Sequence, residues 1–83
     1  MKYALSEYAN AIKRELKIWV KANVNYFIHD DKIYIDLELS HGIYYRHIIP
    51  NALEKMNSGV SSKTIAKDLQ FHLRKYIEKL YFN

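Results

Sequence analysis

The chain has 83 residues, 49% of them hydrophobic, and a formal net charge of +4. That length supports one domain around one core, not a core plus a deep, walled active site. It contains no cysteine, which excludes a disulfide scaffold and any thiolate nucleophile or metal ligand and points to a reducing, cytoplasmic compartment.

Charge is unevenly spread. Residues 1–22 carry five basic and two acidic residues (+3), residues 23–49 two basic and four acidic (−2), and residues 50–83 six basic and three acidic (+3). An acidic middle between basic ends bears on partners, not on fold. No stretch approaches the ~20 apolar residues of a membrane span, and the acid Glu7 stands in a start without an apolar run, unlike a signal peptide. No membrane partner is expected. With 2 glycines and 1 proline, the chain is expected to be ordered almost end to end as one domain, residues 1–83.

Periodicity predicts a first helix from Lys2 to Lys21. Leu5, Ala9, Ile12, Leu16, Trp19 and Val20 share one arc, with Tyr8 at its margin. The period then changes to two. Val24, Tyr26 and Ile28 alternate with Asn23, Asn25, Phe27 and His29. Beyond Asp30-Asp31, Ile33, Ile35, Leu37 and Leu39 alternate with Lys32, Tyr34, Asp36 and Glu38. Two strands joined by a tight acidic turn form a hairpin. Ser40-His41-Gly42 is the next turn, and a third strand runs from Ile43 to Ile49 and stops at Pro50.

Pro50-Asn51 opens a short helix from Ala52 to Asn57, which Ser58-Gly59 closes. Ser61 or Ser62 caps a long last helix. Its apolar arc is Ile65, Leu69, Leu73, Tyr76, Ile77 and Leu80, with Ala66 at the edge. The order α-β-β-β-α-α predicts an α+β fold, a three-stranded antiparallel sheet with helices on one face.

Residue chemistry argues against catalysis. His29, His41, His47 and His72 fall on a strand end, a turn, a strand and a helix, and none has the helical i, i+4 spacing or the spacing to a carboxylate of a zinc site. Asp36 and Glu38 project from one strand face ~7 Å apart, from a ~3.4 Å rise per residue. An outward face does not supply the burial that raises one carboxyl for acid–base work. The two glycines stand alone and make no phosphate loop. No cofactor or metal is expected, and no enzyme.

Two surfaces remain. If the apolar set packs on the helices, the open sheet face carries Asn23, Asn25, Phe27, His29, Tyr34, Asp36, Glu38, Tyr44 and Arg46. Aromatics and an arginine are the residue types enriched in protein interfaces. Asp30, Asp31, Asp36 and Glu38 would repel phosphate there, so a protein partner is expected. The second surface is the back of the last helix, where Phe71 lies near Lys67, Arg74 and Lys75, with Phe82 about three turns on. Phe71 is expected to pack on the short helix or to contact a partner.

Ser62-Lys63-Thr64-Ile65-Ala66-Lys67, placed after Gly59 in an α-β-β-β-α run, resembles the start of the last helix of the double-stranded RNA-binding domain. The resemblance implies phosphate contacts at Lys63 and Lys67. Thr64 stands where that family has its middle lysine, and a tight acidic turn replaces its long β1–β2 loop. Lys63 to Leu69 also resembles the start of a helix-turn-helix. Gln70-Phe71-His72 continues the helical period, so one unbroken helix is expected. In size, element order and lack of cysteine, Met1 to Asn83 is similar to small phage-encoded inhibitors of bacterial defence, anti-CRISPR proteins among them. That similarity implies an inhibitor whose acidic hairpin, Asp30, Asp31, Asp36 and Glu38, plugs a basic groove.

The expectation is therefore a non-catalytic binding protein that occupies a surface of a larger protein or ribonucleoprotein through Phe27, Tyr34, Asp36, Glu38, Tyr44 and Arg46. The alternative is nucleic-acid binding through one basic strip formed by Lys13, Arg14, Lys17 and Lys21 on the first helix and Lys63, Lys67, Arg74 and Lys75 on the last. A homodimer through edge strands or Phe71 is a third arrangement.

Overall fold

The computed structural model describes residues 2–40 and 42–82, the side chains of residues 2, 3 and 82 excepted. His41 and the Phe82 side chain thus lie outside the described residues. The elements are α1 (Lys2–Trp19), β1 (Asn23–His29), β2 (Lys32–Ser40), β3 (Ile43–Ile49), α2 (Ala52–Asn57) and α3 (Ser62–Phe82). This is the expected α+β order. The sheet is antiparallel, with spatial order β1-β2-β3.

The core follows the two periods. Ile33, Ile35 and Leu37 of β2 are fully buried, with Val24 and Ile49 beside them. Ala9, Ile12 and Leu16 of α1 and Ile65, Ala66, Leu69 and Leu73 of α3 cover that face. Both long helices therefore lie on one side of the sheet. α3 runs unbroken through Gln70-Phe71-His72.

Two arc residues leave the core. Trp19 is 63% exposed. It ends α1 at the margin of the apolar arc, where it lines a groove with Leu73 and Ile77 of α3. Leu80 is 47% exposed, because the last turn of α3 reaches only the rim of the sheet at Leu39 and Ile43. α1 also stops two residues short of Lys21, although Val20 still donates to the Leu16 carbonyl at 2.8 Å.

The turns are built by left-handed residues. Asp30 and Asp31 have φ of 49° and 58°, the two positive values of the hairpin turn that matches strand twist. The pairing register of β2 with β3 shifts between Glu38 and Ser40. After α2, the amides of Gly59 and Val60 donate to Met56 and Lys55 at 3.2 and 3.0 Å. That pair of bonds closes a helix around a left-handed residue, here Gly59 at φ +83°. Ser61 is the cap of α3: its Oγ accepts the Thr64 amide at 3.1 Å.

α2 opens after Pro50-Asn51 as expected, at Ala52. Asn51 sits before it at φ 52° and makes no side-chain cap bond. The cap comes instead from the distant hairpin. The Asp31 carbonyl accepts the Ala52 amide at 2.9 Å, and Asp31 Oδ1 accepts the Leu53 amide at 2.8 Å. The β1–β2 turn is thereby tied to the β3–α2 junction.

Removal of a capping carboxylate costs about 0.5–2 kcal/mol. Asp31→Ala is expected to lower stability by that amount in urea unfolding, and Asp31→Asn, which keeps an acceptor and tolerates positive φ, by much less. An unchanged midpoint for Asp31→Ala would show that this cap carries no stability.

Candidate functional site

Strand pairing arranges the open face in rows. Phe27, Tyr34 and Ile48 stand side by side, then Asn25, Asp36 and Arg46, then Asn23, Glu38 and Tyr44. Alternation sends these side chains away from the core. Tyr44, Ile48 and Phe27 are 62%, 46% and 42% exposed, so this face is not covered by another part of the described chain.

The first two rows form one assembly. The Phe27 and Tyr34 rings are stacked 4.4 Å apart with planes 4° from parallel. The Arg46 guanidinium carbon lies 5.1 Å from the Phe27 ring centre and 5.7 Å from that of Tyr34. The same guanidinium donates twice to Asp36, Nε to Oδ1 at 2.7 Å and an η nitrogen to Oδ2 at 3.1 Å. Hydrogen bonding to Asp36 pushes the Arg46 value up from its ordinary position. A planar guanidinium can stack and bind a carboxylate with both prongs at once. The result is a pre-ordered aromatic and cationic surface, beside a shallow hollow lined by Asn25, Asp36, Glu38, Tyr44 and Arg46.

The structure brings Phe27, Tyr34, Asp36 and Arg46 into contact and places Glu38 and Tyr44 in the adjoining row. Ile48 completes the apolar row, and sequence reasoning missed it. The signal was present, since Ile48 continues the parity of Tyr44 and Arg46.

The acidic hairpin differs from its expected role. Asp36 is held by Arg46, Asp31 caps α2, and Asp30 sits 3.1 Å from His29 Nε2. Among the described residues, Glu38 alone of the four has no hydrogen-bonded or ionic side-chain partner. Three of the four carboxylates are therefore engaged within the chain and do not stand ready to plug a basic groove.

The basic residues divide. On α1, Ser6 contacts Tyr26 of β1, and Lys13 and Lys17 follow it by 7 and 11 residues, on the same side of the helix. Tyr8 and Trp19 face α3 instead, through the Val60 carbonyl and the residues around Leu73. Lys13 and Lys17 therefore flank β1. Arg14 faces solvent with Glu7 and Asn10, and Lys21 lies beyond the helix end. Lys63, Lys67 and Arg74 run along one side of α3, at i, i+4 and i+11, while Lys75 lies over the Phe71 ring at 5.3 Å. α1 thus stands between Lys13 and Lys17 on one side and the α3 cations on the other.

Phe71 does not pack on α2. It is 59% exposed, meets His72 edge-on at 5.9 Å, and carries Lys75 on its face. α2 packs against α1 instead.

A second cluster lies under β3. His47 and His72 meet edge-on at 5.3 Å, Tyr45 packs on Tyr76 at 5.0 Å, and the Tyr45 hydroxyl lies 3.4 Å from His47 Nδ1. His72 and Asp68 are in fact i, i+4 on α3, a spacing overlooked in the sequence. Nδ1 of His72 donates to the Asp68 carbonyl at 2.9 Å, and Asp68 Oδ1 is 3.8 Å away. Among the described residues no three His, Cys, Asp or Glu side chains are placed to hold a metal ion. Nor, among the described residues, is any helix long and apolar enough to cross a membrane. Compared with known proteins, the chain matches no family model, no curated protein and no solved structure.

Burial lowers the His47 value, and the neighbouring His72 lowers it further. The unfolded chain thus binds that proton more readily than the folded one. The stability carried by neutral His47 is fully present above its unfolded value of 6.5 and is lost as pH falls through the folded value. Urea midpoints are expected to drop as pH falls below about 6.5, and His47→Gln to flatten that drop. A His47→Gln profile parallel to wild type would mean that His47 is not the group responsible.

Proposed function

We propose that the chain is a non-catalytic binding protein that works by occupying a surface of a larger protein or ribonucleoprotein with the open face of its sheet. The observation that carries this reading is the row Phe27–Tyr34–Ile48 with Arg46 laid over its two rings. Interface hot spots are ordered aromatic and arginine side chains that lose little freedom on binding. Here the rings are stacked and Arg46 is fixed by Asp36 before any partner arrives. The similarity to small inhibitors of bacterial defence fits an inhibitor that acts by occupation.

The charge of the face favours protein over phosphate. Arg46 is neutralised by Asp36, and Glu38 adds a negative charge. Of the cations that would serve a nucleic acid, Lys13 and Lys17 lie on the β1 side of α1 and Lys63, Lys67 and Arg74 on its α3 side.

The test is to immobilise the chain, identify a retained host protein, and titrate it. Tyr34→Ala and Ile48→Ser are each expected to cost at least ~2 kcal/mol, about 30-fold in Kd. Asp36→Lys, which breaks the fork and sets two cations together, should weaken binding as much. Unchanged affinity in all three variants would remove the sheet face as the working surface. Duplex RNA or DNA binding in the micromolar range that collapses between about 50 and 200 mM salt would replace this reading with the nucleic-acid one.

A further inference from the structure

The side of the molecule away from the open face carries a second unpartnered surface. α1 and α3 run alongside each other: the Tyr8 hydroxyl donates to the Val60 carbonyl at 2.6 Å just before α3, and Trp19 lines one groove with Leu73 and Ile77 further along. Beyond the last core residues of α1, the two helices leave a groove lined by Trp19, Val20, Gln70, Leu73, Arg74 and Ile77, of about 320 Å³. That is at the small end of ligand pockets, sized for one or two large side chains. Trp19 is 63% exposed at its edge, and Ile18, on the outer face of α1, is 74% exposed.

Two polar features say what should cover it. The first is charge. Lys63, Lys67 and Arg74 form one stripe along the bordering side of α3, and none of them has an ion pair among the described residues. Glu78 is the single acid at the groove. The second is Gln70, one helical turn before Arg74. Its amide nitrogen is buried and has no hydrogen-bond partner. A buried donor without an acceptor is costly, and a ligand in the groove that brings an acceptor would satisfy it.

We propose that this groove docks an acidic amphipathic helix of a partner protein. The helix would set large apolar side chains against Trp19, Leu73 and Ile77. Its flanking carboxylates would face Arg74 and Lys67, and one carbonyl or carboxylate oxygen would accept from Gln70. This is recognition of an amphipathic helix by apolar anchors in a groove. A second copy of the chain fits poorly, because its own long helices are basic: α1 has Lys2, Lys13, Arg14 and Lys17 against Glu7 and Glu15, and α3 has Lys63, Lys67, Arg74, Lys75 and Lys79 against Asp68 and Glu78. The proposal does not rest on the sheet face, which lies on the other side.

Trp19 is the only tryptophan, so its emission reports the groove directly. The probe is a synthetic helix of about 18 residues with leucine at i, i+3, i+4 and i+7 and glutamate on both flanks. Its control has lysine for glutamate. The glutamate peptide is expected to shift Trp19 emission to the blue saturably, and the lysine peptide to leave it unchanged. Lys67→Glu with Arg74→Glu should weaken the glutamate peptide at least ~10-fold. Gln70→Leu separates docking from folding. It should raise the urea midpoint by removing the orphaned donor, while weakening the peptide about fivefold, the equivalent of one hydrogen bond. The proposal is overturned if the glutamate peptide gives no shift, if the lysine peptide binds as well, or if the charge-reversed variant binds unchanged. A shift driven by protein concentration alone would assign the groove to a second copy, and one driven by duplex RNA to nucleic acid; either also overturns it.

Discussion

Ile33, Ile35 and Leu37 sit at alternate positions of the central strand and are all fully buried. Each meets both long helices' layer from below while β1 and β3 flank it. Because the side-chain period of a strand is two, burying these three forces Tyr34, Asp36 and Glu38 to the opposite face. A one-residue slip would expose the three apolar residues and bury two carboxylates. The register that makes the core is therefore the same register that aligns Phe27 with Tyr34, Tyr34 with Ile48, and Asp36 with Arg46. Core and candidate face are two consequences of one constraint.

That register is pinned at the end where the first turn lies. Two consecutive left-handed aspartates make the β1–β2 turn, and the second holds the start of α2. A short helix has too few internal bonds to be stable alone, so α2 depends on a carboxylate 22 positions away in the chain. The same carboxylate is thereby withdrawn from the acidic surface that the hairpin suggests in sequence. Asp36 is withdrawn in the same way by Arg46. Negative charge in the middle of this chain serves mainly to order the chain itself.

The two sides of the molecule then differ in kind. The sheet side is aromatic and nearly neutral, with its one arginine paired. The helical side is basic, and its apolar groove between α1 and α3 is bordered by unpaired cations. A small two-layer fold leaves both outer surfaces available, because a sheet and a helix layer use only one face each for the core. The His47–His72 contact belongs to neither surface. It lies under β3, where burial lowers the value of His47.

Much was legible in the sequence. Periods of 3.6 and 2 determined five elements in order, with Pro50 and Gly59 bounding the short sixth, and with them the class of fold and which strand residues face outward, because burial of alternate apolar residues leaves no second solution. Phe27, Tyr34, Asp36, Glu38, Tyr44 and Arg46 are on one face for that reason alone. What needed the tertiary structure is every relation between residues far apart in the chain. The fork from Arg46 to Asp36, the cap from Asp31 to Leu53, the meeting of His47 with His72, and the separation of the basic residues by α1 all depend on how elements pack. Exposure of Trp19 and Leu80 depends on where a helix runs out of sheet to cover. Local patterning sets which way a side chain points; only packing decides what it meets there.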